Sequence, residues 1–315
     1  MKQNLSFIFC ILYFVICNLH SSAQQLPQFS QYMVNDYFQN PAVAGSRQYF
    51  DAMSANRLQW LGITDAPRTY CISMNGPLQR WNMGVGGYLF TDIVGPTRRI
   101  GLSGSYSYHI KLMEKAPYGG DSPMKLSMAL SAGILQFAMD GSKLMLNDNT
   151  DYVLNHYQST VVPDFGFGAY LYCDKWWFGT AVPQIYPASL KNLNTYTDIK
   201  GKIVMHFYVS GGYKISIADD FSVEPSFIVK YVKPTPIQMD IGTRIIYKQK
   251  IWIGGTYRTK DAISIMAGLT YMENLSFGYA YDIITTNLKN YSSGTHELII
   301  AIRFKTYVIP AAPKN

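Results

Sequence analysis

Charge is scarce in this 315-residue chain: Asp, Glu, Lys and Arg make up only 15% of it. No run of eighteen apolar residues exists, which excludes a bundle of membrane-spanning helices. Cysteine is nearly absent, and two of the four, Cys10 and Cys17, fall in an apolar N-terminal stretch. The others, Cys71 and Cys173, form no Cys-x-x-Cys or Cys/His ligand spacing, so a disulfide framework, a structural metal and redox chemistry find no support. They read as two buried free thiols rather than a bridge. No cofactor is expected. Nor is there a Ser/His/carboxylate arrangement, a phosphate-cradling glycine loop or a nucleic-acid motif. What the chain does have is 25 Tyr, 16 Phe and 5 Trp, with 25 Gly and 15 Pro spread too widely for a coiled coil. The net charge is +7, a balance that suits outer-leaflet phosphates or acidic partners.

Lys2 precedes an apolar run from Leu5 to Cys17, and Ser21-Ser22-Ala23 follows. Small residues at those places are what a signal peptidase reads, so residues 1–23 are expected to be a cleaved secretory signal. The residues before Cys17 make a poor lipid-attachment site.

Beyond the signal, alternation dominates. Ile100, Leu102, Tyr106, Tyr108, Ile110 and Leu112 share one parity, and Arg99, Ser103, Ser105, Ser107, His109 and Lys111 the other. The same two-residue period runs from Met205 to Ile217 and from Glu297 to Lys305. Such strands belong either to a soluble sandwich or barrel with its apolar face inward, or to a membrane barrel turned inside out. Length decides between them, because these strands run to a dozen residues, as a tilted membrane crossing requires. The expectation is an all-β fold, a transmembrane antiparallel β-barrel of about fourteen strands. They are placed at 48–60, 67–78, 82–92, 97–112, 123–138, 164–173, 175–183, 203–217, 219–232, 235–248, 250–259, 261–272, 274–282 and 295–308.

An even count puts both termini in the periplasm. The long connections 139–163, 184–202 and 283–294 then lie outside the cell, and 113–122 is a longer periplasmic turn. Trp60, Trp81, Trp176, Trp177 and Trp252 sit near strand ends, as in an interfacial girdle. The chain divides into signal 1–23, an N-terminal periplasmic or plug segment 24–46, the barrel 47–308 and a short tail 309–315.

Four blocks carry a resemblance. They are QFSQYMVNDYFQNPAVAG (Gln28 to Gly45), RLQWLGITDAPRTY (Arg57 to Tyr70), NMGVGGYLFTDIVGP (Asn82 to Pro96) and GYAYDIITTNLKNYSSGTHELII (Gly278 to Ile300). In this order they resemble the PorP/SprF family of type IX secretion-system outer-membrane proteins. The resemblance covers nearly the whole mature chain. It implies a non-enzymatic outer-membrane protein of a gliding or secreting bacterium of the Bacteroidetes type. It also implies a part in secreting or anchoring surface proteins such as gliding adhesins. The implied partners are other periplasmic and outer-membrane secretion components and an exported surface protein or its C-terminal domain. One departure is the tail after the last strand, which leaves Phe304 or Tyr307 as the terminal aromatic.

Four groups of residues are singled out. Gln28, Phe29, Ser30, Gln31, Asn40, Pro41 and Gly45 mark a segment too polar to cross a bilayer. It is expected to enter the barrel from the periplasmic side as a partial plug, with Ser30 capping a short helix that Asn40-Pro41 ends. Glu224, Asp240, Arg244 and Arg303 are the lumen charges expected to receive it. Asp282, His296 and Glu297 are expected to form a hydrogen-bonded cluster fixing the last hairpin. Tyr152, Asn155, Tyr157, Asn192, Asn194, Tyr196 and Tyr291 offer adaptable contacts on the long loops. Besides secretion, the sequence allows a passive channel or transporter for small or hydrophobic solutes.

Overall fold

The structure is a computed structural model and describes residues 26–78, 81–143, 157–188 and 202–305. The signal, Tyr152, Asn155, Asn192, Asn194, Tyr196, Tyr307 and the tail 309–315 lie outside the described residues. The strands are β1 (Tyr49–Leu58), β2 (Arg68–Leu78), β3 (Met83–Val94), β4 (Thr97–Met113) and β5 (Met124–Asp140). Next come β6 (Tyr157–Tyr172), β7 (Trp176–Val182), β8 (His206–Tyr213), β9 (Ile215–Ala218) and β10 (Phe221–Val232). The last five are β11 (Gln238–Tyr247), β12 (Ile251–Arg258), β13 (Ala262–Tyr271), β14 (Leu275–Ile284) and β15 (Thr295–Lys305). β8 and β9 are halves of one stave, interrupted at Lys214, and both pair with β10. The staves therefore number fourteen, all antiparallel, and the sheet closes where β15 pairs with β1, Lys305 opposite Tyr49.

The faces follow the parity of the sequence. In β2, Tyr70, Ile72 and Met74 are exposed while Thr69, Cys71, Ser73 and Asn75 are buried. In β4, Leu102, Tyr106, Tyr108 and Ile110 are exposed, whereas Ser103, Ser107 and His109 are buried. A soluble domain would bury the first set. Here the apolar band faces outward and small polar groups line the interior, as hydrocarbon outside and a polar lumen inside demand. No helix of the described residues is long and apolar enough to cross a membrane.

Two strand expectations need correction. β6 begins at Tyr157, not near 164, because Pro163 does not end it. Among the described residues the β6–β7 register runs only from Phe167 onward, so that ladder needs no N–H at Pro163. The expected strand 203–217 is broken at Lys214, beside Pro225 of β10, so the ladder skips between Gly212–Ser226 and Ile215–Val223. Cys71 and Cys173 are free, the first buried and the second half-buried.

Candidate functional site

The chain before β1 lies inside the barrel. Its residues carry no two-residue period, so they join no ladder; instead they fold into turns, a helix α1 (Asp36–Gln39) and a 3-10 turn at Pro41–Val43. Asn40 Oδ1 accepts from the Ala42 N–H and so caps that turn, with Pro41 at its first position. Ser30 does not cap a helix: α1 starts later, after Asn35, and the Ser30 hydroxyl is engaged elsewhere.

The segment touches staves all round the lumen. Tyr32 donates to the Ser226 carbonyl at 3.1 Å, Tyr37 shares a 2.8 Å hydrogen bond with Ser105, and Asn40 donates to the Ala169 carbonyl. At its end, Ser107 donates to the Ala44 carbonyl at 2.7 Å. Gly84 and Gly86 of β3 make room for it, since a Cβ at Gly84 would strike the Ala44 backbone and one at Gly86 the Tyr37 ring.

These contacts also fix its direction. Leu26 donates its N–H to His206, at the barrel end where β5, β7 and β14 finish and β6, β8 and β15 begin. Ala44 and Gly45 meet Gly84 and His109 at the other end, that of the short turns. The segment therefore runs the length of the lumen. Leu26 and Lys305 stand at opposite ends, and the expectation that both termini share one end is corrected for the described chain. The cause is the interior path: the chain descends through the lumen and must reverse at Ser46–Gln48 before β1 climbs back.

At the long-loop end the segment is held by buried charges. Glu297 takes the Ser30 N–H at 2.6 Å and the Gln31 N–H at 3.0 Å. The Ser30 hydroxyl donates to Asp282 at 2.7 Å and accepts from Arg57 at 2.6 Å. Arg57 reaches Asp282 at 2.7 Å and Glu297 at 3.0 Å. Arg258 continues the chain, contacting Asp282 at 3.6 Å and Asp240 at 3.2 Å, and Lys230 closes it on Asp240 at 2.8 Å. Three cations thus face three carboxylates, all buried. Such a set is stable only because each charge has partners, and removing one strands another.

The sequence candidates divide over these contacts. Gln28 lies by His206 and Lys230, Phe29 packs edge-on against Phe38 at 5.2 Å, and Ser30 and Gln31 sit in the charge cluster. Asp240, Asp282 and Glu297 belong to the same cluster. Glu224 and Arg244 pair with each other at 2.6 Å, and the Arg303 guanidinium lies 5.2 Å over the Tyr49 ring. His296 departs from its expected cluster: it shares the outward parity of Leu298 and bonds the Tyr279 hydroxyl at 2.6 Å. Arg57, Arg258 and Lys230 are the residues that sequence reasoning missed. Their signal was a charge at inward parity in an otherwise small or apolar row.

The short-turn end has its own lock. Trp176 donates to the Pro117 carbonyl and Tyr213 to the Tyr118 carbonyl, drawing the turn after β4 across the barrel mouth. Asp174 accepts from the Ser122 hydroxyl and from the Asp121 and Ser122 amides. Burial alone would raise its carboxyl, but those donors outweigh burial and hold it below the ordinary carboxylate range.

The family described as type IX secretion system membrane protein PorP/SprF matches residues 21–302. No curated protein matches the chain. Among solved structures, the Acinetobacter baumannii outer membrane protein Omp33 aligns with a TM-score of 0.44 at 7% identity, covering 82% of this chain and 98% of that one. The KdgM porin aligns at 0.35 and 8% identity, covering 82% and 99%. A mutant of the Rh. blastica porin aligns at 0.33 and 10% identity, covering 81% and 99%. Likeness at those scores carries no further weight.

Proposed function

The chain belongs to the PorP/SprF family of type IX secretion system membrane proteins, and from that membership we propose a non-enzymatic role in secreting or attaching exported surface proteins, gliding adhesins among them. The protein is an outer-membrane β-barrel. In this reading the interior segment is a plug: it fills the cross-section between Ser226, Ser105 and Ala169 and is anchored by the cluster of Arg57, Asp282 and Glu297. The barrel then serves as a platform, not a conduit. Its long-loop face docks the exported protein or its C-terminal domain, and its short turns meet the periplasmic machinery. With the short turns in the periplasm, Leu26 lies at the cell-surface mouth.

The observation that carries this reading is the convergence of the four blocks of family resemblance inside the lumen. Ser30 and Gln31 come from the first block, Arg57 from the second, Gly84 and Gly86 from the third, and Asp282 and Glu297 from the fourth. They are far apart in sequence and meet around one segment. A passive channel for small or hydrophobic solutes would need a clear path where that segment lies.

Two measurements test the role. Deleting the gene should leave exported surface proteins unsecreted or released into the medium, with solute uptake unchanged. Purifying the tagged barrel from outer membranes in mild detergent should recover secretion components or a surface protein. Normal secretion in the deletion strain would refute the role.

A further inference from the structure

The outward face of the barrel carries almost no charge, and the exception is local. Among the described strands, Arg68 of β2 and Arg98 of β4 are the only lysine or arginine side chains at outward parity. Arg68 shares that parity with Tyr70, Ile72 and Met74, and Arg98 with Ile100 and Leu102; both arginines are exposed. In β3 between them, Ile93 stands opposite Arg68 on one side and opposite Arg98 on the other. Neighbouring strands lie about 4.8 Å apart, so the two arginines rise from backbones about 10 Å apart and flank one apolar side chain.

Both stand at the long-loop end, where β2 and β4 begin and β3 finishes. Height matters here, because an outward arginine costs most at the bilayer midplane and least at the interface. The next ladder rows toward the membrane centre are Tyr70–Thr91–Ile100 and Ile72–Leu89–Leu102. The face thus sets two cations at headgroup height above a mostly apolar strip, whose Ile72, Leu89 and Leu102 are exposed. Neither arginine has a hydrogen bond or ion pair with any described residue, whereas Arg99, one position along and inward, is paired with Asp92. Two carboxylates share this mouth, Asp65 before β2 and Asp140 at the end of β5. Neither bridges to Arg68 or Arg98, and Asp140 accepts from the Ser142 hydroxyl at 2.6 Å and its amide at 3.2 Å.

We propose that Arg68 and Arg98 bind the phosphorylated headgroup of a membrane lipid, with the strip below contacting its acyl chains. Place commits the site to lipid: these side chains leave the wall on the bilayer side, where lipid is the surrounding medium. Phosphate follows from the donors, since two guanidinium forks flanking one residue can converge on a single phosphate through paired N–H bonds. With the short turns in the periplasm, the lipid belongs to the outer leaflet. The site follows from the barrel's place in the outer membrane and not from any part in secretion.

Titration of the purified full-length barrel with diphosphoryl lipid A, counted by native mass spectrometry, tests the site. One tightly bound lipid is expected, its apparent Kd raised about tenfold in the double variant Arg68→Gln/Arg98→Gln, which loses the charge-assisted bonds. Lys260→Gln/Lys289→Gln removes the same charge elsewhere at that end and should leave the Kd unchanged. Lipid A stripped of its phosphates should bind the unaltered chain about tenfold more weakly, which tests the site even if a variant fails to close. Inorganic phosphate at millimolar concentration should not displace the diphosphoryl form. The heat-modifiable gel shift shows which variants remain closed barrels. Absence of a bound lipid, an equal loss in the lysine control, or indifference to the lipid's phosphates would overturn the proposal. So would displacement by inorganic phosphate, which would mark a site for a soluble anion.

Discussion

Arg57 and Asp282 meet at 2.7 Å although their strands, β1 and β14, are separated by β15, and the Ser30 hydroxyl touches both. Three distant parts of the chain are thereby tied at one point. Arg57→Ala takes from buried Glu297 its salt-bridge cation and leaves Asp282 only Arg258 at 3.6 Å, and is expected to cost about 3–5 kcal/mol. Ser30→Ala removes a hydroxyl but no charge and is expected to cost about 1–3 kcal/mol. Denaturant unfolding in detergent measures both. Equal, near-zero effects would mean that the segment is not anchored there.

Gly84 offers a steric test of the same packing. A methyl at that position meets the Ala44 backbone, which cannot swing aside as a flexible side chain would. Gly84→Ala is expected to destabilise by about 1–3 kcal/mol, as overpacking does. The same change at Gly104, where a Cβ would meet nothing within 4 Å, should be nearly silent. Comparison of the two melting curves separates packing against the segment from general loss of strand glycine.

The acid limb of stability belongs in part to Asp174. Its carboxyl is depressed in the folded protein, so its stabilising contribution is present above the ordinary carboxylate range and is lost as pH falls through the lowered folded value. Asp174→Asn should lower the melting temperature at neutral pH, where that contribution is present, and flatten its fall over the acid range. An unchanged acid limb would show that the Ser122 and Asp121 contacts do not couple to folding.

Much of this molecule was legible because a strand has a period of two. Parity alone placed Ile100 and Leu102 outside and Ser103, Ser107 and His109 inside. It should also have placed His296 outside with Leu298, which the attraction of a nearby carboxylate pair obscured. The interior segment was harder, because a chain with no regular period announces only that it is not a strand. Its polar composition pointed to the lumen. Its direction depends on contacts such as Leu26 with His206, 180 positions apart, which no local pattern records. Pro163 misled for a related reason: proline weakens a strand only where its N–H is needed, and need is set by the neighbouring stave.

The direction of the segment makes a labelling prediction. In intact cells, Leu26→Cys should react with a membrane-impermeant maleimide, since Leu26 lies at the long-loop mouth. Gln249→Cys, in the short turn between β11 and β12, should react only after the outer membrane is opened. The native thiols give a low background, Cys71 being buried and Cys173 lying at the short-turn end. Labelling of Gln249→Cys but not Leu26→Cys in intact cells would invert the barrel in the membrane.

Conductance tests the plug itself. A fourteen-stave barrel emptied of its interior segment should hold a continuous aqueous path, since the remaining wall is lined by small residues such as Ser103, Ser105 and Ser107. With the segment present, reaching the walls at Ser226 and at Ser105, the plug reading expects that path to be blocked. Deleting residues 24–44 should therefore turn a quiet protein in planar bilayers into one with steady open-channel currents. Because Arg57, Asp282 and Glu297 remain mutually paired without Ser30, the shortened barrel keeps its charge balance and should still close. A current unchanged by the deletion would mean either that ions already pass around the segment or that the empty lumen collapses. A heat-modifiability gel of the shortened protein tells these apart, and passage around an intact segment would end the plug reading.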